Sequence, residues 1–463
     1  MTEQLKLKLN DSKATRWGAL VIVAFTMMAA YYVNDVVAPL KTMLETDLAW
    51  SSTDFGFFTG GYSFLNVFSL MLIWGGLILD RFGIRFTGKL ATILMVGGTA
   101  LEYYAMTGLA GADATLFGIN EIFGYKTGVF VAFAGYSIFG VGAEVAGITV
   151  SKIIAKWFKG KELATAMGVQ VALARIGSQA GYAVAIPLAR AFGISTPVLL
   201  GLVLLLGGMI AFFIFAVMDK KLDKQMEAAA IAAGTEDEEE KFSFKDVKNI
   251  LVNPGFWLIA LLCVLFYSCV FPFQKFASEL MIIKYGINEN VAGTFAGLPA
   301  LGALILTPVF GGFIDKRGKS ASIMLLGSAM LICVHFIYAI PDINYWLVAI
   351  VLMIILGIAF SLVPSAMWPA VAKIFPVSQL GTAYALIFFI QNIGLWGIPT
   401  LIGWVLDAYC ISGKKPDGTN MYDYTVPMCI FTGIACLSLI VALLLKKADK
   451  KYGYKLEEPN IQK

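Results

Sequence analysis

The polar residues of this chain are bunched, and long apolar stretches lie between the bunches. A membrane-crossing helix needs about 20 mostly apolar residues. By that measure runs fall near residues 17–40, 55–79, 88–109, 127–153, 163–190, 197–218, 255–281, 291–314, 320–340, 345–372, 381–408 and 425–446. They predict an all-α membrane protein of twelve transmembrane helices, with both termini on one side. The polar bunches choose that side. Lys and Arg gather in the N-tail (Lys6, Lys8, Lys13, Arg16) and after the second run (Arg81, Arg85, Lys89). They recur after the fourth run (Lys156, Lys159, Lys161), after the eighth (Lys316, Arg317, Lys319) and in the C-tail (Lys446, Lys447, Lys450, Lys451). The alternate loops are poorer in them, apart from Lys414 and Lys415. Cytoplasmic loops carry such an excess, so both termini are expected in the cytoplasm.

Composition agrees. The chain is 59% hydrophobic and 14% charged, where soluble domains are about 25% charged. The N-tail has no short apolar core followed by a cleavage site, so no signal peptide is expected. Six cysteines show neither metal nor disulfide spacing, and His335 lies in an apolar run as a core residue would. There is no nucleotide-binding loop, metal constellation or placed nucleophile and base, so an enzyme is not expected, nor a cofactor, metal or nucleic acid.

Residues 219–250, with the run TEDEEEK, are charged, Ala-rich and poor in aromatics. They read as a cytoplasmic linker. The expected organisation is an N-tail (1–16), a six-helix bundle (17–218), the linker, a second six-helix bundle (251–446) and a C-tail (447–463). The two bundles are pseudo-symmetric, because the halves repeat. Gly75, Gly76, Asp80 and Arg81 correspond to Gly311, Gly312, Asp315 and Lys316, an offset of 235 (315 − 80) between the aspartates. Phe158, Leu163, Thr165 and Ala166 recur as Phe375, Leu380, Thr382 and Ala383, an offset of 217 (375 − 158). The difference places about 18 extra residues in the outer loop at 109–126.

Two charges stand inside adjacent apolar runs: Glu144 in the fourth and Arg175 in the fifth. A charge near the bilayer centre costs roughly 2.5–3.5 kcal/mol on insertion scales, so it faces a protein interior and has a partner or ligand. The repeat does not reproduce this pair: under the 217 offset Glu144 falls on Ser361 and Arg175 on Asn392. Charges confined to one half suit an asymmetric ligand better than a structural need of both halves. A guanidinium grips a carboxylate through two parallel hydrogen bonds. Glu144 would accept from an ammonium group. Together they suit a zwitterion with free amino and carboxyl ends.

Helical spacing puts Gly140, Gly147 and Ser151 on the face of Glu144, and Gln179 and Tyr182 on that of Arg175. Neutral lining is expected from Tyr267, Phe271, Phe273, Trp368, Gln391 and Asn392 of the facing half. The first helix would add Tyr31, Tyr32 and Asn34, and Asp35 either joins them or lies near the outer surface. Pro272, Pro299, Pro364 and Pro369 mark bends.

The stretch Gly75-Gly76-Leu77-Ile78-Leu79-Asp80-Arg81-Phe82-Gly83-Ile84-Arg85 resembles the signature of the major facilitator superfamily, with a weaker copy at 311–319. A closer resemblance, to the family of lysosomal dipeptide transporters, lies in AEVAG (143–147), WFKGKEL (157–163) and ARIGS (174–178). It continues in FYSCVFPF (266–273), WPAVA (368–372) and LGTAYALIFFIQNIG (380–394). The resemblance implies a dipeptide transporter working by alternating access, with Glu144 and Arg175 in the binding site. Gly76, Asp80, Arg81, Gly83, Arg85, Asp315 and Arg317 would then form a cytoplasmic gate. Facilitated diffusion and proton symport both remain open, and so does a proton-coupled carrier of organic anions that uses Arg175 alone. A membrane sensor signalling through 219–250 is a further alternative. The N-tail has no acidic dileucine signal, and a bacterial-type cytoplasmic membrane and a monomer are expected.

Overall fold

The computed structural model describes residues 8–111, 114–158, 161–233 and 244–459. The acidic run at 235–241, and Lys6 and Lys159 of the basic bunches, lie outside the described residues. The regular structure of the described residues is helical apart from two small hairpins and one isolated bridge between Leu116 and Ile119. In the first half are α1 (Lys13–Val36), a single 3-10 turn (Ala38–Leu40), α2 (Lys41–Asp47), α3 (Ser52–Phe68) and α4 (Met71–Ala105). A hairpin of β1 (Glu121–Ile122) and β2 (Tyr125–Lys126) follows, then α5 (Thr127–Trp157), α6 (Leu163–Phe192) and α7 (Thr196–Ala233). The short α8 (Phe244–Val252) leads to α9 (Pro254–Tyr285), α10 (Glu289–Ala296), α11 (Leu298–Arg317), α12 (Ser320–Ala339), α13 (Trp346–Ile374) and α14 (Val377–Tyr409). A second hairpin, β3 (Ile411–Lys414) and β4 (Asn420–Tyr422), precedes α15 (Thr425–Tyr452).

Nine helices among the described residues are long and apolar enough to cross a membrane, or ten if the bent pair α3 and α4 counts as one span. The second apolar run is broken at Leu70, whose φ is 52°, and Gly83 (φ 75°, ψ 173°) divides α4 into two helical pieces. Gly83 tolerates that backbone because it has no Cβ. α6 is absent from the nine; its Gln170, Arg175, Ser178 and Gln179 dilute its apolar content. α7 runs past the expected boundary at 218 to Ala233. The sequence there, rich in Lys, Met, Glu and Ala, favours helix. Asp219 and Asp223, one turn apart, receive Lys156 at 2.7 and 2.5 Å.

The interior is largely apolar, and so is the outer surface of the spans. On α7, Val203, Ile210, Ile214 and Val217 are each more than half exposed. Their spacing of seven, four and three residues makes one outward stripe. Polar side chains turn inward. Within the first half α1 packs on α6 and α7, and α4 on α5; within the second, α12 packs on α15 and α11 on α13. The halves meet mainly where α3 lies along α14 and where α6 meets α10 and α11. Glycine makes those meetings close. A Cβ on Gly56 would come 2.4 Å from the Pro399 carbonyl oxygen, and one on Gly293 would come 2.3 Å from that of Tyr182.

Polar contacts reinforce the junction at the end carrying the hairpins. Asp407 of α14 caps the N-terminus of α3, accepting from the amides of Thr53 (2.6 Å) and Ser52 (3.3 Å). A carboxylate there meets unpaired N–H groups and the positive end of the helix dipole. Lys41 bridges Glu45 (2.6 Å) and Glu279 (2.5 Å), and Lys415 lies 3.5 and 3.6 Å from the same two carboxylates. At the end carrying the chain termini, ion pairs such as Arg16–Glu162, Arg85–Asp223 and Lys152–Asp80 each stay within the first half.

Candidate functional site: an interior cavity with separated charges

Between the halves lies a cavity of about 600 Å³. The first half lines it with Tyr31, Asn34, Tyr62, Tyr136, Glu144, Gly147, Ser151, Gln170 and Arg175, and the second with Tyr267, Phe271, Lys275, Trp368, Phe388 and Gln391. Local sequence explains how the charges are held. A Cβ on Gly140 would stand 2.0 Å from the carbonyl oxygen of Tyr62, so the glycine lets α5 approach α3. That approach lets the Tyr62 hydroxyl donate to Glu144 Oε1 at 3.0 Å. In the same way a Cβ on Gly177 would stand 2.1 Å from the Met28 carbonyl oxygen, which brings α6 against α1. Arg175 then lies with its guanidinium carbon 5.6 Å from the Tyr31 ring centre and 4.9 Å from that of Phe360.

Glu144 and Arg175 share the cavity without pairing. Among the described residues the Arg175 side chain makes no ion pair or hydrogen bond; it lies against the two rings. Rings position a guanidinium while leaving its N–H donors free. The second half supplies an aromatic wall. Tyr267 and Phe271 stack with centroids 5.4 Å apart, Phe271 meets Phe360 edge-on at 5.3 Å, and Trp368 stacks on Phe388 at 4.8 Å. Gln391 accepts from the Cys263 thiol.

Eight expected residues therefore share one cavity: Glu144, Arg175, Tyr31, Asn34, Tyr267, Phe271, Trp368 and Gln391. Five do not line it. Tyr32 faces α7 instead and donates to the Pro197 carbonyl at 3.2 Å. Gln179 and Tyr182 lie further along α6 from Arg175, where Gln179 donates to the Thr294 carbonyl and Tyr182 packs on Gly293 and Gly297. Phe273 points away from Phe271, since two residues on a helix are about 200° apart. It packs among His335, Tyr338 and Phe431. Asn392 is buried and donates to the Phe388 carbonyl at 2.9 Å, one residue off the face that Gln391 presents. Ser361, the repeat counterpart of Glu144, is likewise buried and bonds its own helix at Gly357.

Sequence reasoning missed Tyr62, Tyr136 and Lys275. Lys275 Nζ donates to the Asn34 carbonyl (2.6 Å) and to Asp35 Oδ1 (3.1 Å). The position of Lys275 inside the seventh apolar run was the same kind of signal that marked Glu144. It also settles Asp35, which is 7% exposed and faces the interior.

Of the expected gate residues, Asp80 meets Lys152 at 3.0 Å and Arg85 meets Asp223 at 2.7 Å and Asp219 at 3.8 Å. The Arg81 guanidinium lies over the Phe82 ring, and a Cβ on Gly76 would meet nothing. Asp315 and Arg317 stand in the last turn of α11.

Residues 20–399 and 276–458 both match the family described as the Major Facilitator Superfamily. The chain belongs to that superfamily. Its sequence is similar to the lysosomal dipeptide transporter MFSD1 of Homo sapiens, 29% identical over 454 residues, covering 95% of this chain and 88% of the relative. The protein of the same name from Danio rerio is 26% identical over 441 residues, covering 93% and 86%. Among solved structures, the nucleoside transporter NupG superposes with a TM-score of 0.69 at 12% identity, over 92% of this chain and 98% of that one. The peptide transporter POT, in complex with sulfate, gives 0.67 at 14% identity, over 95% and 94%. At such identities these two structures speak to the fold.

Proposed function

We propose that this protein is a secondary transporter that carries dipeptides across a membrane by alternating access. The observation that supports it is the pairing state of the charges. Glu144 and Arg175 line one cavity, yet Arg175 has no anionic partner among the described residues. An interior charge left without a countercharge is costly unless a ligand provides one. A dipeptide carboxylate would take the guanidinium and its ammonium would take Glu144, while the aromatic wall accepts varied side chains. The similarity to chains named lysosomal dipeptide transporters supports the same substrate class.

The reading extends to topology. Twelve spans follow if α3 with the first piece of α4, the second piece of α4, and α6 cross the membrane beside the nine most apolar helices. The two six-helix bundles, 17–218 and 251–446, rock about the cavity as one monomer. The excess of Lys and Arg supports cytoplasmic termini, which makes the hairpin end the outer end and this conformation closed to the outside. A bacterial-type cytoplasmic membrane fits the plain N-tail, and fractionation of a tagged chain tests it.

The function is tested by counterflow of labelled alanyl-alanine in proteoliposomes. Saturable exchange is expected for the native chain, with losses of tenfold or more in Glu144→Gln and Arg175→Ala. N-acetylated alanyl-alanine should compete poorly. If it competes equally and Glu144→Gln is harmless, the protein carries organic anions on Arg175 alone.

A further inference from the structure

Arg175 is flanked by one ring from each half. Tyr31 of α1 belongs to its own half, and Phe360 of α13 belongs to the other. Phe360 is the nearer, with its ring centre 4.9 Å from the guanidinium carbon against 5.6 Å for Tyr31. It is 2% exposed and does not line the cavity, whereas Arg175 does. A ligand in the cavity therefore meets Arg175 and not Phe360. The ring is itself held in one orientation. Tyr267 and Phe271 of α9 lie parallel to within 7°, and the Phe360 ring stands at 86° to the first and 81° to the second. Edge-to-face packing of this kind is a favoured arrangement of aromatic pairs.

The repeat gives this ring further meaning. Under the 217 offset Phe360 falls on Ala143 (360 − 217), beside Glu144. One half has a methyl group where the other has a ring, so the scaffold shared by the halves does not require an aromatic there. The ring lies against the one guanidinium that the repeat also fails to reproduce. A ring face attracts a guanidinium without occupying its N–H donors. An arginine side chain has much rotamer freedom to lose, and a two-bond grip on a carboxylate fixes its plane as well as its position. With a ring from each half against it, much of that freedom is gone before a ligand arrives, and binding then costs less entropy.

We propose that Phe360 is a positioning residue for carboxylate recognition: its ring face holds Arg175 ready for the carboxyl end of the substrate. This rests on the dipeptide reading above. Arg175 of the first half touches the ligand, and Phe360 of the second half acts only through Arg175. Recognition of the carboxyl end is thus shared between the halves, although the charge that performs it belongs to one.

The test sets two competitors against counterflow of labelled alanyl-alanine in proteoliposomes. One is unlabelled alanyl-alanine; the other is alanyl-alaninamide, which keeps the ammonium and lacks the carboxylate. The ratio of their half-inhibitory concentrations measures the preference for a carboxylate, and the native chain should prefer the acid. Phe360→Leu keeps apolar bulk but removes the ring face. The preference should fall about two- to tenfold, as expected when one long side chain must be ordered on binding, with inhibition by the amide little changed. A second series keeps the packing: nonsense suppression places phenylalanine with one, two or three ring fluorines at position 360. Fluorine draws electron density from the ring face with little change in size, so the preference should fall stepwise along the series. A preference that stays at the native value in every fluorinated chain overturns the proposal, whatever Phe360→Leu does, and leaves the dipeptide reading standing. Equal inhibition by acid and amide in the native chain overturns the role of Arg175 in carboxylate binding, and this inference with it. Absence of counterflow in the native chain overturns the dipeptide reading itself.

Discussion

Lys41 Nζ and Glu279 Oε2 lie 2.5 Å apart across the junction of the two halves, and each side chain is about 1% exposed. Glu45 and Lys415 complete a set of two ammoniums and two carboxylates, and Tyr424 donates to Glu279. The set's opposite charges compensate one another, but removing one member strands the rest. Truncating one partner of such a pair costs about 3–5 kcal/mol. Glu279→Ala should therefore lower the thermal midpoint in detergent clearly, and Lys41→Met with Glu279→Leu should recover part of the loss. A Glu279→Ala midpoint equal to that of the native chain would show that the set carries no weight in closing this end.

The α3–α14 junction packs backbone against backbone at Gly403. A Cβ there would lie 2.3 Å from the Ser52 carbonyl oxygen and 2.9 Å from Gly56 Cα, and both are backbone atoms that cannot swing away. Overpacking of this kind costs about 1–3 kcal/mol, which shifts a two-state equilibrium about 5–150-fold. Gly403→Val should hold the outer end open. The check is a cysteine at Ser63, a cavity-lining position, labelled by an impermeant thiol reagent added outside. Labelling should rise several-fold over Ser63→Cys alone, while dipeptide counterflow falls. Unchanged labelling would mean that the outer end closes elsewhere.

Much of this architecture is legible in the chain. Glu144 and Arg175 stood out because an ionised group inside an apolar run is rare, and the superfamily followed from the Gly75–Arg85 signature. Lys275 and Glu102 obey the same rule, one near the end of the seventh run and one within the third. Rotation about each helix was less legible. Phe271 and Phe273 look alike in sequence, but only Phe271 lines the cavity, because Tyr267, Phe271 and Lys275 fall on one face at spacings of four. Gln391 and Asn392 differ in the same way. Tyr62 and Tyr136 gave no signal, since a tyrosine among many aromatics in a helix reads as packing. Their roles come from α3 and α5 being drawn together at Gly140, a tertiary fact. The break at Leu70 was also invisible, because a leucine with φ 52° is held by its surroundings and not by its own preference.

Tyr62 should matter for the amino end of the substrate and not for the carboxyl end. Its hydroxyl donates to Glu144 Oε1 and fixes that carboxylate toward the cavity. A hydrogen bond to a charged group contributes about 1.5–3 kcal/mol, a factor of about ten to a hundred in affinity. Tyr62→Phe should raise the half-saturating concentration of alanyl-alanine about tenfold or more. Competition by N-acetylated alanyl-alanine, which has no ammonium to offer Glu144, should stay as it was. Equal losses for both ligands would place Tyr62 in packing alone.

The N-tail is clasped by two carboxylates whose titration has a definite sign. Asp11 lies 2.9 Å from Lys161, and Glu162 lies 2.8 Å from Arg16. The Lys161 hydrogen bond, aided by the Lys8 amide, holds the Asp11 carboxyl below its ordinary 3.8. A bond from its own amide, and then one from Arg16, does the same for Glu162 against 4.5. Both groups bind protons more weakly in the folded chain than in the unfolded one. Their contribution is thus complete above those ordinary values and is lost as pH falls below them through the lower folded-state values. Amide exchange over residues 9–16, corrected for intrinsic rate, should show constant protection from about pH 7 to about pH 5. Protection should then fall toward about pH 3, and Asp11→Asn with Glu162→Gln should be weakly protected and flat across the range. Protection that rises on acidification would reverse the sign and show that cations, not these carboxylates, dominate the clasp.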